Sequence, residues 1–242
     1  MSVERLDKIL SSQNLGSRKE VGALIRAGRA AVNGVTARHP AQKADPESDV
    51  ITIDGKILNF KKNIYLMLNK PAGVLSASRD PHARTVVDLL PPELRRRGIF
   101  PAGRLDKDTR GLLILTDDGD FAHRMLSPKS HVTKWYEAVL ESPVSKEDIL
   151  MFRQGVKLSD GMTCLPAELS VLQDGKHPMA LIGLHEGKFH QVKRMFAARG
   201  NRVLSLRRVR IGGLSLDSGL AEGAVRELDE AEASLVFQNQ HR

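Results

Sequence analysis

A cluster of charged residues runs directly into a short apolar segment between residues 103 and 120, and this feature constrains the chain more than any other. Gly111 opens the apolar run, which extends from Leu112 to Leu115. A run of this length, bounded by glycine and acidic residues, is typical of a buried strand. The charged loop before it contains Asp106 and would therefore be attached to a rigid core. Reactive side chains are often held in this way, so Asp106 is the candidate functional residue.

The charge of the chain is unevenly distributed. The chain carries a formal net charge of +8. Its length of 242 residues is enough for one large domain and one small one. Between residues 185 and 212 there are eight lysines and arginines against a single acid, Glu186. Such a basic cluster indicates a polyanionic partner, and we favour nucleic acid over a merely solvated surface.

Several classes of protein are disfavoured by what the chain lacks. Cys164 is the only cysteine, which excludes an intramolecular disulfide and cysteine-rich metal motifs. Nucleotide-binding glycine patterns and histidine-glutamate metal spacings are absent, so we expect no metal and no cofactor. No apolar stretch approaches the ~20 residues that span a bilayer, and the first residues lack the apolar core of a signal peptide. We expect a cytoplasmic protein with no membrane partner.

Residues 1–58 are predicted to form a small separate domain. Apolar residues at helical spacing indicate a first helix that ends near Gly16, and residues 17–20 (SRKE) form a capping-box pattern that starts a second helix. The Asn33-Gly34 pair favours a tight hairpin, since these residues adopt the positive φ angles of that turn. A further strand is predicted over residues 50–53.

Residues 59–63 are predicted to be a linker, and residues 64–238 a second domain. The predicted strands cover residues 64–68, 112–115, 136–140 and 179–184. The predicted helices cover residues 85–90, 145–155 and 191–199, with a last helix capped by residues 229–232. Strands alternate with helices without a regular βαβ rhythm, which favours a mixed α+β fold over a doubly wound sheet.

The first domain resembles the S-four-type RNA-binding module of ribosomal proteins. The resemblance is carried by residues 5–10 (RLDKIL), 25–29 (IRAGR) and 32–34 (VNG). It implies phosphate contacts from six basic residues: Arg5, Lys8, Arg18, Lys19, Arg26 and Arg29. The alternative is that these are ordinary exposed positions, because residues 1–60 hold nine basic and seven acidic residues and net charge alone does not favour RNA.

The second domain resembles the pseudouridine synthases. Residues 103–106 (GRLD), followed by Thr109 and residues 111–113 (GLL), closely resemble the catalytic motif of that family. Residues 70–73 (KPAG) and 186–195 (EGKFHQVKRM) resemble two further motifs in the same order. Residues 67–71, 115–119 and 210–213 are similar to the RsuA subfamily. The resemblance spans nearly the full chain and implies a mixed, largely antiparallel sheet in the catalytic domain.

The resemblance also implies roles for the site residues. Asp106 would be the nucleophile of uridine isomerisation, and whether it attacks the anomeric carbon or first removes a sugar proton stays open. Tyr136 would stack on uracil and assist proton removal from carbon 5, unless it is simply a core aromatic. Lys193 matches the family's basic residue that pairs with the nucleophile and is favoured over Arg194. Neighbouring helix positions point about 100° apart, so only one of the two would face Asp106.

Three further residues have two interpretations each. Arg104 would fill the space left by a flipped uridine or hold its phosphate, and the alternative is a salt bridge with Asp108 or Asp118. Leu184 and Val192 would form the walls of the uracil pocket or belong to the core. His190 receives no functional role.

The predicted function is isomerisation of one uridine to pseudouridine in ribosomal RNA, most similar to the enzyme acting on small-subunit 16S rRNA. The expected partner is ribosomal RNA or a partly assembled ribosomal subunit, and the expected state is a monomer. Two alternatives stay open: a synthase acting on large-subunit 23S rRNA, and a non-catalytic rRNA-binding assembly factor. A glycoside hydrolase is disfavoured, because that chemistry usually needs two carboxylates about 5–9 Å apart and the sequence shows no clear partner for Asp106.

Overall fold

The computed structural model describes residues 3–95 and 98–238. It consists of two compact units, Met1–Ile64 with Leu90–Ile99, and Tyr65–Leu89 with Phe100–Arg242. The return of Leu90–Ile99 to the first unit was not indicated by any sequence pattern. The predicted domain limits at residues 58 and 64 stay a prediction, and the first two residues of that predicted domain lie outside the described residues.

The first unit is built from two helices and short strands. Its elements are β1 (Glu4–Arg5), α1 (Leu6–Ser12), α2 (Arg18–Arg26), β2 (Ala30–Val32), β3 (Val35–Thr36), β4 (Lys43–Ala44), β5 (Ile51–Ile53) and β6 (Lys56–Ile57). Strands pair in the order β3-β2-β5-β6, and β1 pairs with β4. Apolar side chains of both helices pack on β2 and β5 to form one core.

The first unit contains the capping box and the hairpin that the sequence predicts. The Ser17 hydroxyl accepts from the Glu20 N–H, and the Glu20 carboxylate accepts from the Ser17 N–H, which confirms the capping box. Asn33 and Gly34 have φ angles of 51° and 78°, which confirms the hairpin. Helix α1 ends earlier than predicted, at Ser12, and the Gln13 side chain bonds the backbone of Lys61 instead.

The second unit contains the larger sheet. Its strands are β7 (Tyr65–Lys70), β8 (Phe100–Pro101), β9 (Arg110–Thr116), β10 (Lys134–Leu140), β11 (Glu168–Gln173), β12 (Met179–Leu184), β13 (Val203–Ile211), β14 (Leu214–Ser215) and β15 (Val225–Glu227). Its helices are α3 (Gly119–Leu126), α4 (Lys146–Gln154), α5 (Gln191–Ala198) and α6 (Glu230–Ser234).

The sheet is mixed but largely antiparallel. Seven strands follow the order β11-β12-β10-β13-β9-β7-β15, while β8 pairs with β9 and β14 with β13. Strand β13 runs parallel to β9, and the other pairings among the described strands are antiparallel. The predicted α+β class with a mixed sheet is therefore confirmed.

One register row crosses the middle of this sheet. Lys70 pairs with Gly111, Gly111 with Arg208, Arg208 with Tyr136, and Tyr136 with Ile182. Because side chains alternate between faces, the side chains of such a row lie on one face. Gly111 has a φ of 99°, and a Cβ atom there would lie 2.2 Å from the Arg208 carbonyl oxygen. This glycine lets β9 and β13 approach each other.

Helices cover both faces of the sheet. Helix α3 contributes Phe121 and Met125 to a core with β7 and β9 side chains such as Met67 and Ile114. Helices α4 and α5 pack on β10 and β12 in a second core, against which Tyr136 packs. The second core therefore lies on the face of the register row.

The element boundaries differ from the predictions in specific places. Strand β7 ends at Lys70, directly before Pro71, which is two residues later than predicted. The predicted helix at residues 85–90 is a single 3-10 turn, Val87–Leu89. Strands β11 and β13 were not predicted, because polar residues interrupt both sequences (ELSVLQ and VLSLRRVRI).

Candidate active site

A buried lysine, Lys70, binds the backbone of the loop that carries Asp106. The Lys70 ammonium donates to the carbonyl oxygens of Pro71, Asp106, Lys107 and Thr109, at 2.9–3.2 Å. Burial lowers the pKa of Lys70 to about 8, although the nearby carboxylates of Asp108 and Asp106 act in the opposite direction. In the sequence Lys70 stands out only as part of a motif, because its four acceptors are backbone carbonyls that no side-chain pattern shows.

Two cationic or potentially cationic groups of one segment lie beside the Asp106 carboxylate. Lys193 Nζ is 3.7 Å from Asp106 Oδ2, and His190 Nε2 is 3.7 Å from Asp106 Oδ1. Lys193 lies in α5, and His190 is the residue before that helix. The Asp106 side chain keeps 28% of its surface exposed, so a substrate can reach it. The sequence predicts no functional role for His190, and only the tertiary fold brings its ring to Asp106.

Lys193 is shared between two carboxylates. Its Nζ lies 2.6 and 2.8 Å from the two oxygens of Asp108, closer than to Asp106. This hydrogen bond holds the pKa of Asp108 below its usual value. Arg194 forms an ion pair with Asp160 instead. Lys193 rather than Arg194 is therefore the cation that the structure places next to Asp106.

Tyr136 lies in the register row, two strands away from Gly111. Its ring is partly buried, and the Arg208 guanidinium carbon is 6.0 Å from the ring centroid. Leu184 and Val192 are buried in the core against which Tyr136 packs. Their role as walls of a uracil pocket stays a prediction.

Two buried cations, Arg208 and Lys134, belong to the strands next to the site. Arg208 Nε donates to the Leu112 carbonyl at 2.7 Å, while its Nη2 has no hydrogen-bond partner among the described residues. Lys134 donates to the Met125 carbonyl at 3.3 Å. Burial, with a smaller contribution from the Arg208 charge, lowers the pKa of Lys134 to about 8.

Arg104 projects into solvent just before Asp106. Within residues 3–95 and 98–238 it forms no ion pair, since Asp108 binds Lys193 and Asp118 accepts from the Tyr65 hydroxyl at 2.6 Å. The salt-bridge interpretation of Arg104 is therefore wrong for this structure. Its predicted contact with a flipped nucleotide stays a prediction.

Fewer lysines and arginines of the basic segment 185–212 are exposed without an ion pair than its composition indicates. Five of its eight cations form ion pairs: Lys188 with Glu186, Lys193 with Asp108, Arg194 with Asp160, Arg199 with Asp148, and Arg202 with Glu141. Arg208 is buried. Binding of RNA phosphate by this segment stays a prediction.

The six basic residues predicted to bind RNA in the first unit fall into two groups. Four of them are paired: Arg5 and Arg18 with Asp7, Lys8 with Glu4, and Arg29 with Asp54. Lys19 and Arg26 are exposed on α2 and have no ion pair in the described part of the chain. The predicted phosphate contacts of all six residues stay a prediction.

Comparison with known proteins decides the family. Residues 64–198 match the family model of RNA pseudouridylate synthase, and residues 4–51 match the S4 domain. The chain belongs to the RNA pseudouridylate synthase family. The predicted enzyme class, RNA pseudouridine synthase, is thereby confirmed, and the assembly-factor alternative is not supported.

Relatives of this pseudouridine synthase match it over nearly its whole length. An uncharacterized RNA pseudouridine synthase of Bacillus subtilis (strain 168) is 46% identical over 98% of this chain and 99% of its own. Ribosomal small subunit pseudouridine synthase A of Escherichia coli (strain K12) is 41% identical over 96% and 99%. A crystal structure of a pseudouridylate synthase has 34% identity and a TM-score of 0.67, over 96% of this chain and 99% of that chain. The predicted RsuA-type family is confirmed.

Among the described residues of this synthase, no helix is long and apolar enough to cross a membrane.

Proposed function

We propose that this pseudouridine synthase isomerises one uridine of small-subunit 16S ribosomal RNA, with Asp106 as the nucleophile. The observation that carries the proposal is the Asp106 carboxylate, accessible to solvent and 3.7 Å from the Lys193 ammonium. The relative from Escherichia coli, named for the ribosomal small subunit, supports the choice of RNA. We further propose that the RNA is met as free rRNA or in a partly assembled subunit.

The reaction needs no external reagent. The bond between uracil nitrogen 1 and the anomeric carbon breaks, and a bond from carbon 5 to the same anomeric carbon forms. Carbon 5 loses a proton and nitrogen 1 gains one, so atoms and electrons balance. A carboxylate acts as a nucleophile at a glycosidic carbon only when it is ionised, and the Lys193 ammonium lies 3.7 Å from the Asp106 carboxylate.

The loop geometry supports precise placement of the nucleophile. Lys70 binds three carbonyls between residues 106 and 109, and the Ser76 hydroxyl bonds both the N–H and the carbonyl of Leu105. Positioning of a reacting group contributes several kcal/mol to catalysis, roughly 7–11 at best. Tyr136 is proposed to stack on the uracil and assist removal of the proton from carbon 5.

The test is site-specific mapping of pseudouridine in 16S and 23S rRNA incubated with the purified protein. We expect conversion of one uridine in 16S rRNA and loss of at least about 1000-fold in rate for Asp106→Asn, since the residual rate comes from binding alone. Asp120→Asn is the matched control, because Asp120 is an exposed carboxylate at the start of α3.

Two results would contradict separate parts of the proposal. An Asp106→Asn protein with the normal rate would remove the assigned nucleophile. Conversion in 23S rRNA alone would keep the chemistry and move the substrate to the large subunit.

A further inference from the structure

An exposed aromatic ring lies next to the Asp106 site. Phe189 has 74% of its surface exposed. Its ring stacks on the His190 imidazole with a centroid distance of 3.8 Å and an interplanar angle of 18°. His190 in turn places Nε2 3.7 Å from Asp106 Oδ1. Single exposed apolar residues are common on protein surfaces, but this ring stacks on the histidine that lies beside the proposed nucleophile.

Hydrogen bonds of a buried side chain hold the segment that carries Phe189 in place. The buried Gln191 side chain accepts from the Lys188 N–H at 2.9 Å and donates to Glu186 Oε1 at 2.8 Å. The same Glu186 oxygen accepts from the Leu165 N–H at 2.9 Å. Because this network already orders the backbone, the ring can bind a ligand with a smaller loss of conformational entropy.

The backbone at His190 has an uncommon conformation. His190 adopts a φ of 49° in the left-handed region, directly before α5. This conformation is uncommon for residues other than glycine, and such residues often occur at ligand-binding sites. The turn directs the chain so that Phe189 lies in solvent while Lys193, one turn into the helix, lies at Asp106.

The chemistry of this pair fits an unpaired nucleobase. A flat aromatic ring that is open to solvent binds single-stranded RNA by stacking, at about 1–3 kcal/mol per base. A uridine that leaves its helix also leaves its neighbours without a stacking partner. We propose that the Phe189–His190 pair is a stacking subsite for the nucleobase adjacent to the reacting uridine. This inference rests on the proposed function, since it requires an RNA uridine at Asp106.

A double-mutant cycle tests the subsite directly. Equilibrium binding is measured for an RNA fragment around the mapped uridine, and for two versions with an abasic site on its 5′ or its 3′ side. All proteins carry Asp106→Asn so that the uridine stays unchanged. We expect Phe189→Ala to weaken binding of the intact RNA roughly 5- to 100-fold. The same substitution should cost less than about twofold with one of the abasic RNAs, because the stacking partner is already absent.

Controls separate stacking from other causes. Phe189→Trp should restore affinity, since tryptophan offers a larger ring. Leu150→Ala is the matched control, because Leu150 is an apolar residue of α4 with 54% of its surface exposed. Equal losses with intact RNA and both abasic RNAs, or no loss with intact RNA, would overturn the subsite. Absence of uridine conversion by the wild-type protein would instead overturn the proposed function, and the rRNA mapping measures that separately.

Discussion

Two lysines with similar burial have different environments. Lys70 satisfies its ammonium with four backbone carbonyls, three of which belong to the Asp106 loop. Lys134 has one long hydrogen bond, to Met125, and lies near the Arg208 charge. A buried cation stabilises a fold only when hydrogen bonds compensate the loss of water. Burial lowers the pKa of both lysines to about 8, so both charged forms are costly to bury, but only Lys70 also fixes the Asp106 loop through its hydrogen bonds.

Replacement of Lys134 by methionine should stabilise the protein at neutral pH. The pKa of Lys134 is lowered from 10.5 to about 8, which corresponds to a burial cost of about 3 kcal/mol. The methionine also loses the hydrogen bond to Met125, which offsets part of this gain. We therefore expect Lys134→Met to raise the free energy of unfolding by about 1–2 kcal/mol at pH 7. Urea unfolding measures this change.

The pH dependence has a defined sign. Below pH 8, Lys134 is protonated in both the folded and the unfolded protein, so its burial cost is constant. Between pH 8 and 10.5 only the unfolded protein keeps the proton, and wild-type stability rises through this range. The advantage of Lys134→Met should therefore shrink with rising pH, while the exposed-site control Lys157→Met follows the wild type. Equal pH profiles for Lys134→Met and the wild type would contradict the assignment.

At the scale of elements, the parallel pair β9–β13 joins the two parts of the site. It connects the strand that follows the Asp106 loop to the strand that carries Arg208, next to Tyr136. The contact depends on Gly111, where the backbone has a φ of 99° and leaves no room for a side chain. The geometry of the site thus depends on one position without a Cβ atom.

Gly111→Ala should be strongly destabilising. The new methyl group would lie 2.2 Å from the Arg208 carbonyl oxygen at an unfavourable φ, so we expect a loss of about 3 kcal/mol or more. Gly119→Ala is the matched control, because a Cβ at the start of α3 meets nothing within 4 Å. Thermal unfolding of both variants measures the difference, and equal melting temperatures would contradict the proposed strand contact.

At the scale of the whole molecule, some cations are held in ion pairs with acids, and these are less free to bind phosphate than unpaired ones. In the first unit, Lys19 and Arg26 are exposed and have no ion pair among the described residues, whereas Arg29 is paired with Asp54. Ion pairs must be given up before their cations can neutralise a phosphate. RNA affinity should therefore depend more on Lys19 and Arg26 than on Arg29.

Neutralisation of Lys19 and Arg26 should reduce the salt dependence of RNA binding. Each lost phosphate contact lowers the slope of log affinity against log salt by about 0.7 on single-stranded RNA. We expect Lys19→Gln with Arg26→Gln to lower it by about 1.4, and Arg29→Gln, as the control, to lower it by less. Filter binding between low and physiological salt measures the slopes. An unchanged slope in the double variant would exclude α2 as a phosphate-binding helix.

Short-range signals were predicted from sequence with good accuracy. The capping box at Ser17 and the hairpin at Asn33-Gly34 depend on residues within three positions of each other, so their geometry follows from local φ preferences and hydrogen bonds. The apolar strand after Gly111 was predicted in the same way and forms part of β9. The unpredicted strands β11 and β13 lack a local signal, because cross-strand partners rather than their own residues stabilise them.

The sequence by itself determined the family, the α+β class and the segment that holds Asp106, because motifs and periodicity are properties of neighbouring residues. Only the tertiary structure decided which cations are available. Acids distant in sequence, such as Asp108 and Asp148, neutralise Lys193 and Arg199. Coulomb energy depends on distance in space and on burial, and neither is visible in a linear count of charges. The same reason explains why His190 beside Asp106, and Lys70 beneath it, became apparent only in the folded chain.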